Sequence, residues 1–171
     1  MTGNVIETER LRLRLHKLSD FENVAALWGA PEVVRFISGK PSSREDSWGR
    51  LLRYVGHWQL LGHGFWAIED KATGQFLGEG GFGSFKREIE PPIEAPEQGW
   101  AFNAAAQGKG YAYEAMKAAA DWGEAHFKRT DFTCIISPDN APSLKLAHKL
   151  GYREVARVSY KDTPTVMLQR V

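Results

Sequence analysis

The chain has 171 residues, 43% of them apolar and 25% charged, a size and makeup that fold as one domain (1–171) with its own core. Lys and Arg number 22 against 21 Asp and Glu, a formal net charge of +1. That balance excludes the basic excess of a dedicated nucleic-acid or membrane binder.

Leu11, Leu13 and Leu15 alternate with Arg12, Arg14 and His16, the period of a strand with one buried face. Ser19 and Asp20 supply an N-cap to a helix carrying Val24, Leu27 and Trp28. A second helix is predicted over Ser43–Leu61, with Leu51, Tyr54, Val55 and Trp58 at steps of three and four. Strands follow at Phe65–Glu69 and Phe76–Phe82, joined by a turn at Lys71–Gly74. Segment Gly83–Glu97, rich in Pro and Glu, reads as a solvated loop. Its acids Glu88, Glu90, Glu94 and Glu97 would suit a cationic partner.

Gln98–Phe102 reads as a strand in which Gly99 marks a bulge or a close backbone approach. A polar loop, 103–110, leads into a long helix, Tyr111–Phe127, whose packed face holds Ala112, Ala115, Met116, Ala119, Trp122 and Gly123. The apolar run Phe132–Ile136 is a strand. It contains Cys134, the single cysteine, which can form no internal disulfide and reads as a buried strand residue. A shorter helix, Ala141–Leu150, is stopped by Gly151. Tyr152–Val158 and Thr165–Leu168 then form a closing antiparallel pair.

The N-terminal residues lack a basic segment followed by an apolar one, and no apolar stretch approaches the ~20 residues of a membrane span. The cytoplasm is the expected compartment. None of the five histidines, His16, His57, His63, His126 and His148, stands at metal-ligand spacing, so no metal is expected.

Two stretches carry chemistry. In Gln107-Gly108-Lys109-Gly110-Tyr111-Ala112, between a strand and a long helix, glycines allow close backbone approach. The free N–H groups at the helix start face that turn, and the helix dipole favours negative charge there. Together they can cradle a pyrophosphate, with Lys109 adding a direct charge. No Walker run exists, and Gly108-Lys109-Gly110 does not continue into a dinucleotide fingerprint. In Asn140-Ala141-Pro142-Ser143, Asn140 is a good cap, Pro142 suits the first turn, and Ser143 can face the preceding loop.

Gln107-x-x-Gly110-x-Ala112 resembles the cofactor loop of the GNAT superfamily of acetyl-CoA-dependent N-acetyltransferases. Asn140-x-x-Ser143 with Lys149-Leu150-Gly151-Tyr152 resembles that superfamily's closing segment. The opening Thr8-Glu9-Arg10-Leu11-Arg12-Leu13-Arg14 is similar to the branch that acetylates ribosomal-protein N-termini (RimJ/RimL-like). The resemblance implies an α+β fold with a mixed, mostly antiparallel sheet whose middle strands splay apart, flanked by helices. The pantetheine arm of acetyl-CoA would pair with the backbone of Trp100, Ala101, Phe102 and Asn103. The amides of Gln107, Gly108, Lys109, Gly110, Tyr111 and Ala112 would hold the pyrophosphate, and Asn140 and Ser143 would flank the thioester. Many members carry a tyrosine acid seven residues after the Asn; here that position is Ala147, and Ser143 takes the role used in the N-terminal-acetylating branch. A homodimer is compatible with the resemblance.

The implied reaction is direct attack of a neutral amine on a thioester. An α-amine, with pKa near ~7.7–8.0, is roughly a tenth neutral at pH 7, whereas lysine near ~10.4 is well under ~0.1% neutral. Backbone N–H groups near Ala101–Phe102 would stabilise the oxyanion. Glu97 and Glu79 are the candidate bases. The expected acceptor is a protein or peptide N-terminal α-amine. The rivals are a small amine (polyamine, amino acid or antibiotic) and a non-catalytic acyl-CoA sensor.

Overall fold

The alternation at Leu11–Leu15 is realised in a computed structural model, which describes residues 2–171: Leu11 and Leu13 are fully buried, while Arg12 and Arg14 are partly exposed. The strands are β1 (Ile6–Glu7), β2 (Leu11–Arg14), β3 (Phe65–Asp70), β4 (Phe76–Gly83), β5 (Glu97–Phe102), β6 (Thr133–Ile136), β7 (Tyr152–Tyr160) and β8 (Thr163–Arg170). They form one sheet in the order β1-β2-β3-β4-β5-β6-β8-β7. Each neighbouring pair is antiparallel except β5–β6, which is parallel and meets at one residue pair, Glu97 opposite Thr133. Past that pair the two strands diverge toward Phe102 and Ile136, and the sheet opens in its middle.

The helices are α1 (Phe21–Gly29), α2 (Pro31–Val34), α3 (Arg44–Leu61), α4 (Tyr111–Phe127) and α5 (Ala141–Lys149). Period two sorts the strand side chains between them. Trp66, Ile68, Leu77 and Phe102 share a core with Ala115, Met116, Ala119 and Ala120 of α4. Ala67, Phe76 and Ala101 share a second core with Val24, Leu27, Trp28 and Leu51 of α1 and α3. The sheet is therefore the middle of three layers, an α+β arrangement. Each large side chain so buried contributes roughly 1.5–3 kcal/mol.

Local signals explain most boundaries. Ser43 caps α3, its Oγ accepting from the Asp46 N–H at 3.0 Å while the Asp46 carboxylate accepts from the Ser43 N–H at 3.3 Å. That is a reciprocal capping box. Asn140 caps α5, its Oδ1 accepting from the Ser143 N–H at 3.3 Å. Cys134 is buried in β6.

Three details differ from the sequence reading. Asp20 stands at the N-cap of α1 without a side-chain cap bond, because both its oxygens accept from Arg14 at 2.8 Å and one also from the Lys17 N–H. A charged partner outcompetes a helix amide for a carboxylate. Gly99 makes no bulge: β4 and β5 pair without a register shift. It marks a close approach instead, since a Cβ there would lie 3.0 Å from the Phe65 ring. The short β1 and α2 were not foreseen, being too brief for a periodic signal.

Candidate active site

The glycine loop and the start of α4 form the first part of the site. Gly108 and Gly110 take φ of +77° and +79°, a left-handed region that favours glycine. Among the described residues, the N–H groups of Gly108, Lys109, Gly110, Tyr111, Ala112 and Tyr113 have no hydrogen-bond acceptor, and the first return bond of α4 is Glu114 N–H to Gly110 O. A row of free donors at the positive end of a 17-residue helix fits a pyrophosphate. Lys109 is exposed beside it. The Gln107 side chain turns back, its Nε2 reaching Phe102 O at 3.4 Å.

The loop is braced by Arg10, which the sequence offers only as part of the opening motif. Arg10 donates to Lys109 O at 2.9 Å, pairs with Glu114 at 2.7 Å and lies over the Tyr111 ring. Ninety-nine residues separate Arg10 from Lys109, so no local pattern could have announced the contact.

The opening between β5 and β6 leads into a cavity of about 530 Å³ that draws residues from both faces of the sheet. Trp100, Asn140 and Ser143 line it on the α4–α5 side. Across the sheet it is lined by Trp28, Tyr54, Phe85, Arg87 and Glu97, with Tyr160 and Lys161 from the β7–β8 turn. Trp100 Nε1 donates to Ser143 Oγ at 3.3 Å. The Asn103 N–H donates to Leu77 O on β4. Strand N–H groups alternate between edges, so that of Ala101 also faces β4, while those of Trp100 and Phe102 face the opening. Of the amides near Ala101–Phe102, those of Phe102 and Trp100 are thus open to the gap, and that of Ala101 is turned away from it.

The two candidate bases occupy different settings. Glu97 is nearly buried on the cavity wall, and the Arg87 Nε reaches both carboxylate oxygens at 2.8 and 3.0 Å. Burial pushes the Glu97 carboxyl up, and Arg87 offsets only part of that rise. Glu79 is fully buried and does not line the cavity. Its Oε1 accepts from Trp28 Nε1 at 2.6 Å and from the Tyr54 hydroxyl at 2.7 Å, and its Oε2 meets His16 Nε2 at 2.9 Å. Burial acts to raise its carboxyl, but hydrogen bonds from His16, Tyr54 and Trp28 hold it below the usual range. The Tyr54 phenol is raised well above its ordinary value by burial and by Glu79, which keeps it a donor.

The structure thus brings Ser143, Asn140, Trp100 and Glu97 to one cavity and keeps Glu79 beneath its floor. Of the acids of segment 83–97, Glu97 lines the cavity. Glu88, Glu90 and Glu94 are exposed and outside the cavity lining, which takes Phe85 and Arg87 from this segment.

A splayed α+β sheet with a helix N-terminus at the gap defines the acetyl-CoA-binding acyltransferase fold. The family model described as an acetyltransferase (GNAT) domain matches residues 10–153, and the chain belongs to this family of acetyl-CoA-dependent acetyltransferases. An uncharacterised protein of Bacillus subtilis, YkkB, is 28% identical over 95% of this chain and 93% of its own length. A solved Bordetella pertussis protein assigned to the GnaT acetyltransferases superposes with a TM-score of 0.84 at 29% identity, covering 98% of this chain and 99% of that one. Two more distant structures share the fold alone. One, from Salmonella typhimurium, modifies the N-terminal serine of ribosomal protein L7/L12 (17% identity, TM-score 0.79, 98% of each chain). The other is a spermidine N-acetyltransferase of Vibrio cholerae in complex with CoA and spermine (16%, TM-score 0.74, 95% of each chain).

Proposed function

We propose that this acetyltransferase acts on the α-amine of a peptide or protein N-terminus, by direct attack in a ternary complex. The observation that carries the reading is the state of Glu97. It is the one carboxylate among the described residues lining the cavity, and Arg87 engages both its oxygens. A base held this way suits an amine already partly neutral at pH 7. An α-amine near ~7.7–8.0 meets that condition, and a lysine or polyamine near ~10.4 does not.

In this reading the amine nitrogen bonds to the thioester carbon and its proton passes to Glu97, directly or through water. The Phe102 and Trp100 amides receive the developing oxyanion. The C–S bond then breaks, and the Ser143 hydroxyl donates to the departing thiolate. The amides of Gly108–Ala112 hold the pyrophosphate, with Gln107 and Lys109 at its edges and Asn140 fixing Ser143.

Coenzyme A release with matched peptides tests this. A peptide with a free N-terminus and no lysine should turn over faster than an N-blocked, lysine-containing one or spermidine. A faster blocked peptide or polyamine would overturn the α-amine assignment. No turnover with any amine would favour a sensor.

A further inference from the structure

Arg50 and Arg53 lie one turn apart on α3 and both line the cavity. Among the described residues neither forms an ion pair with any carboxylate, while Arg10, Arg12, Arg14, Arg44, Arg87, Arg129, Arg157 and Arg170 each do. Arg50 stacks on the Trp28 indole, its Cζ 3.6 Å from the ring centre, and its Nε is buried without a hydrogen-bond partner. Arg53 and Arg87 flank Phe85, at 5.1 and 4.8 Å from its ring centre. Lys161 stands at the rim beside Tyr160. The charged side chains on the cavity wall are thus Arg50, Arg53, Arg87 and Lys161 against Glu97 alone. Their sum is four minus one, or +3, in a chain whose formal total is +1. Asp46 faces a smaller cavity that Arg50 and Arg53 also border, but its carboxylate accepts from the Ser43 N–H instead.

Burial lowers the Arg53 pKa, and the like charges of Arg50 and Arg87 push it the same way. An unneutralised cluster of this kind repels a polyamine and attracts an anion. The Arg50 stack is also prepared in advance. Glu79, buried beneath, fixes Trp28 and Tyr54, and Trp28 is the platform on which Arg50 rests. A guanidinium held by stacking keeps its N–H edge free for a carboxylate.

We infer that Arg50 and Arg53 form an anion subsite for the acceptor, so that the preferred α-amine belongs to a peptide with Asp or Glu among its first residues. The inference rests on the α-amine reading above. The chain would enter with its amine toward Ser143 and Glu97 and its acidic side chain toward α3.

The test compares kcat/KM for three free-N-terminus peptides alike except at positions two and three, which are Asp-Glu, Ala-Ala or Lys-Lys, with free glutamate as a fourth acceptor. The acidic peptide should exceed the neutral one by roughly tenfold and the basic one by more, with the advantage shrinking as salt rises. In the Arg50→Gln/Arg53→Gln variant the acidic-to-neutral ratio should fall toward one, mostly through KM. A ratio is unaffected by the fraction of enzyme folded. Arg53→Lys, which keeps the charge, should hold most of the preference. A neutral or basic peptide preferred by the wild type, or a ratio unchanged in the double variant, overturns the anion subsite and leaves the α-amine reading standing. Turnover of glutamate with no peptide turned over would instead overturn the peptide acceptor while keeping the subsite.

Discussion

The Trp100 indole N–H donates to the Ser143 hydroxyl over 3.3 Å, linking β5 to the first turn of α5 across the opening of the sheet. An indole nitrogen can only donate, so this bond occupies a lone pair of the serine oxygen and leaves its O–H free. The Ser143 N–H is itself held by Asn140 Oδ1. The hydroxyl oxygen is therefore held by the indole on a residue whose backbone Asn140 fixes, and its proton stays available to whatever occupies the cavity.

Ser143→Ala should lower kcat by roughly 10²-fold, the low end for a positioned proton donor, with acetyl-CoA affinity nearly unchanged. Trp100→Phe should give a smaller loss in the same parameter, because it removes the indole donor and not the hydroxyl. Steady-state kinetics with a calorimetric acetyl-CoA titration check both. Full activity in Ser143→Ala would assign the proton to water.

Acetyl-CoA binding should stabilise the fold, since the amide row of Gly108–Tyr113 exists only in the native chain. At ~100 times the dissociation constant the gain is about 2.7 kcal/mol, a rise of roughly 5–10 °C in Tm for a chain of this size. Gly110→Val should abolish most of that rise. Its φ of +79° costs a β-branched residue about 1–2 kcal/mol, and the new Cβ would lie 3.4 Å from Arg10 Nη2. Melting curves with and without acetyl-CoA separate the two effects. A normal ligand shift in Gly110→Val would reduce Gly110 to a turn residue.

These contacts show where sequence reading reaches its limit. The glycine loop, the Asn140 cap and the α4 face were legible because each signal is local: a conformational need, a cap, a period. The splay rested on resemblance, because no strand states its neighbour. Arg50, Arg53 and Tyr54 carry a helical spacing that could have suggested one face of α3. Nothing local says that this face meets Arg87, 34 residues further on in the numbering. Glu79 had a readable signal: a lone acid inside the strand Phe76–Gly83, buried throughout, must be hydrogen-bonded. Sequence alone could not tell a base from an anchor.

Glu79 separates those two roles by experiment. Glu79→Ala would orphan the buried Trp28 and Tyr54 donors and should cost about 2–6 kcal/mol, at roughly 1–3 kcal/mol for each group left unpaired. Glu79→Gln retains one oxygen for Trp28 and Tyr54, and its amide can donate to His16 in the other tautomer. We expect it to cost under ~2 kcal/mol and to keep kcat within about threefold. A 10²-fold loss of kcat in folded Glu79→Gln would make Glu79 the base and displace Glu97.

The pH profile addresses Glu97 directly. Burial raises its carboxyl above the usual range, with Arg87 partly offsetting the rise. As a base Glu97 must be ionised, so kcat/KM should fall as pH drops through this raised value. The acidic limb should therefore lie above the ordinary carboxylate range near ~4.3. Arg87→Gln removes the partner that favours the charged form, so the limb should move to higher pH. Glu97→Gln should lower the rate and lose this limb altogether. The sign for stability follows from the same shift. A carboxyl raised in the folded state adds stability below its unfolded pKa, and that contribution is lost as pH rises through the folded value. Glu97→Gln, uncharged at every pH, removes that contribution and should raise Tm at pH 8 relative to pH 4 when compared with the wild type, which scanning calorimetry can read. An acidic limb that stays in place in both Arg87→Gln and Glu97→Gln would remove Glu97 from the proton path.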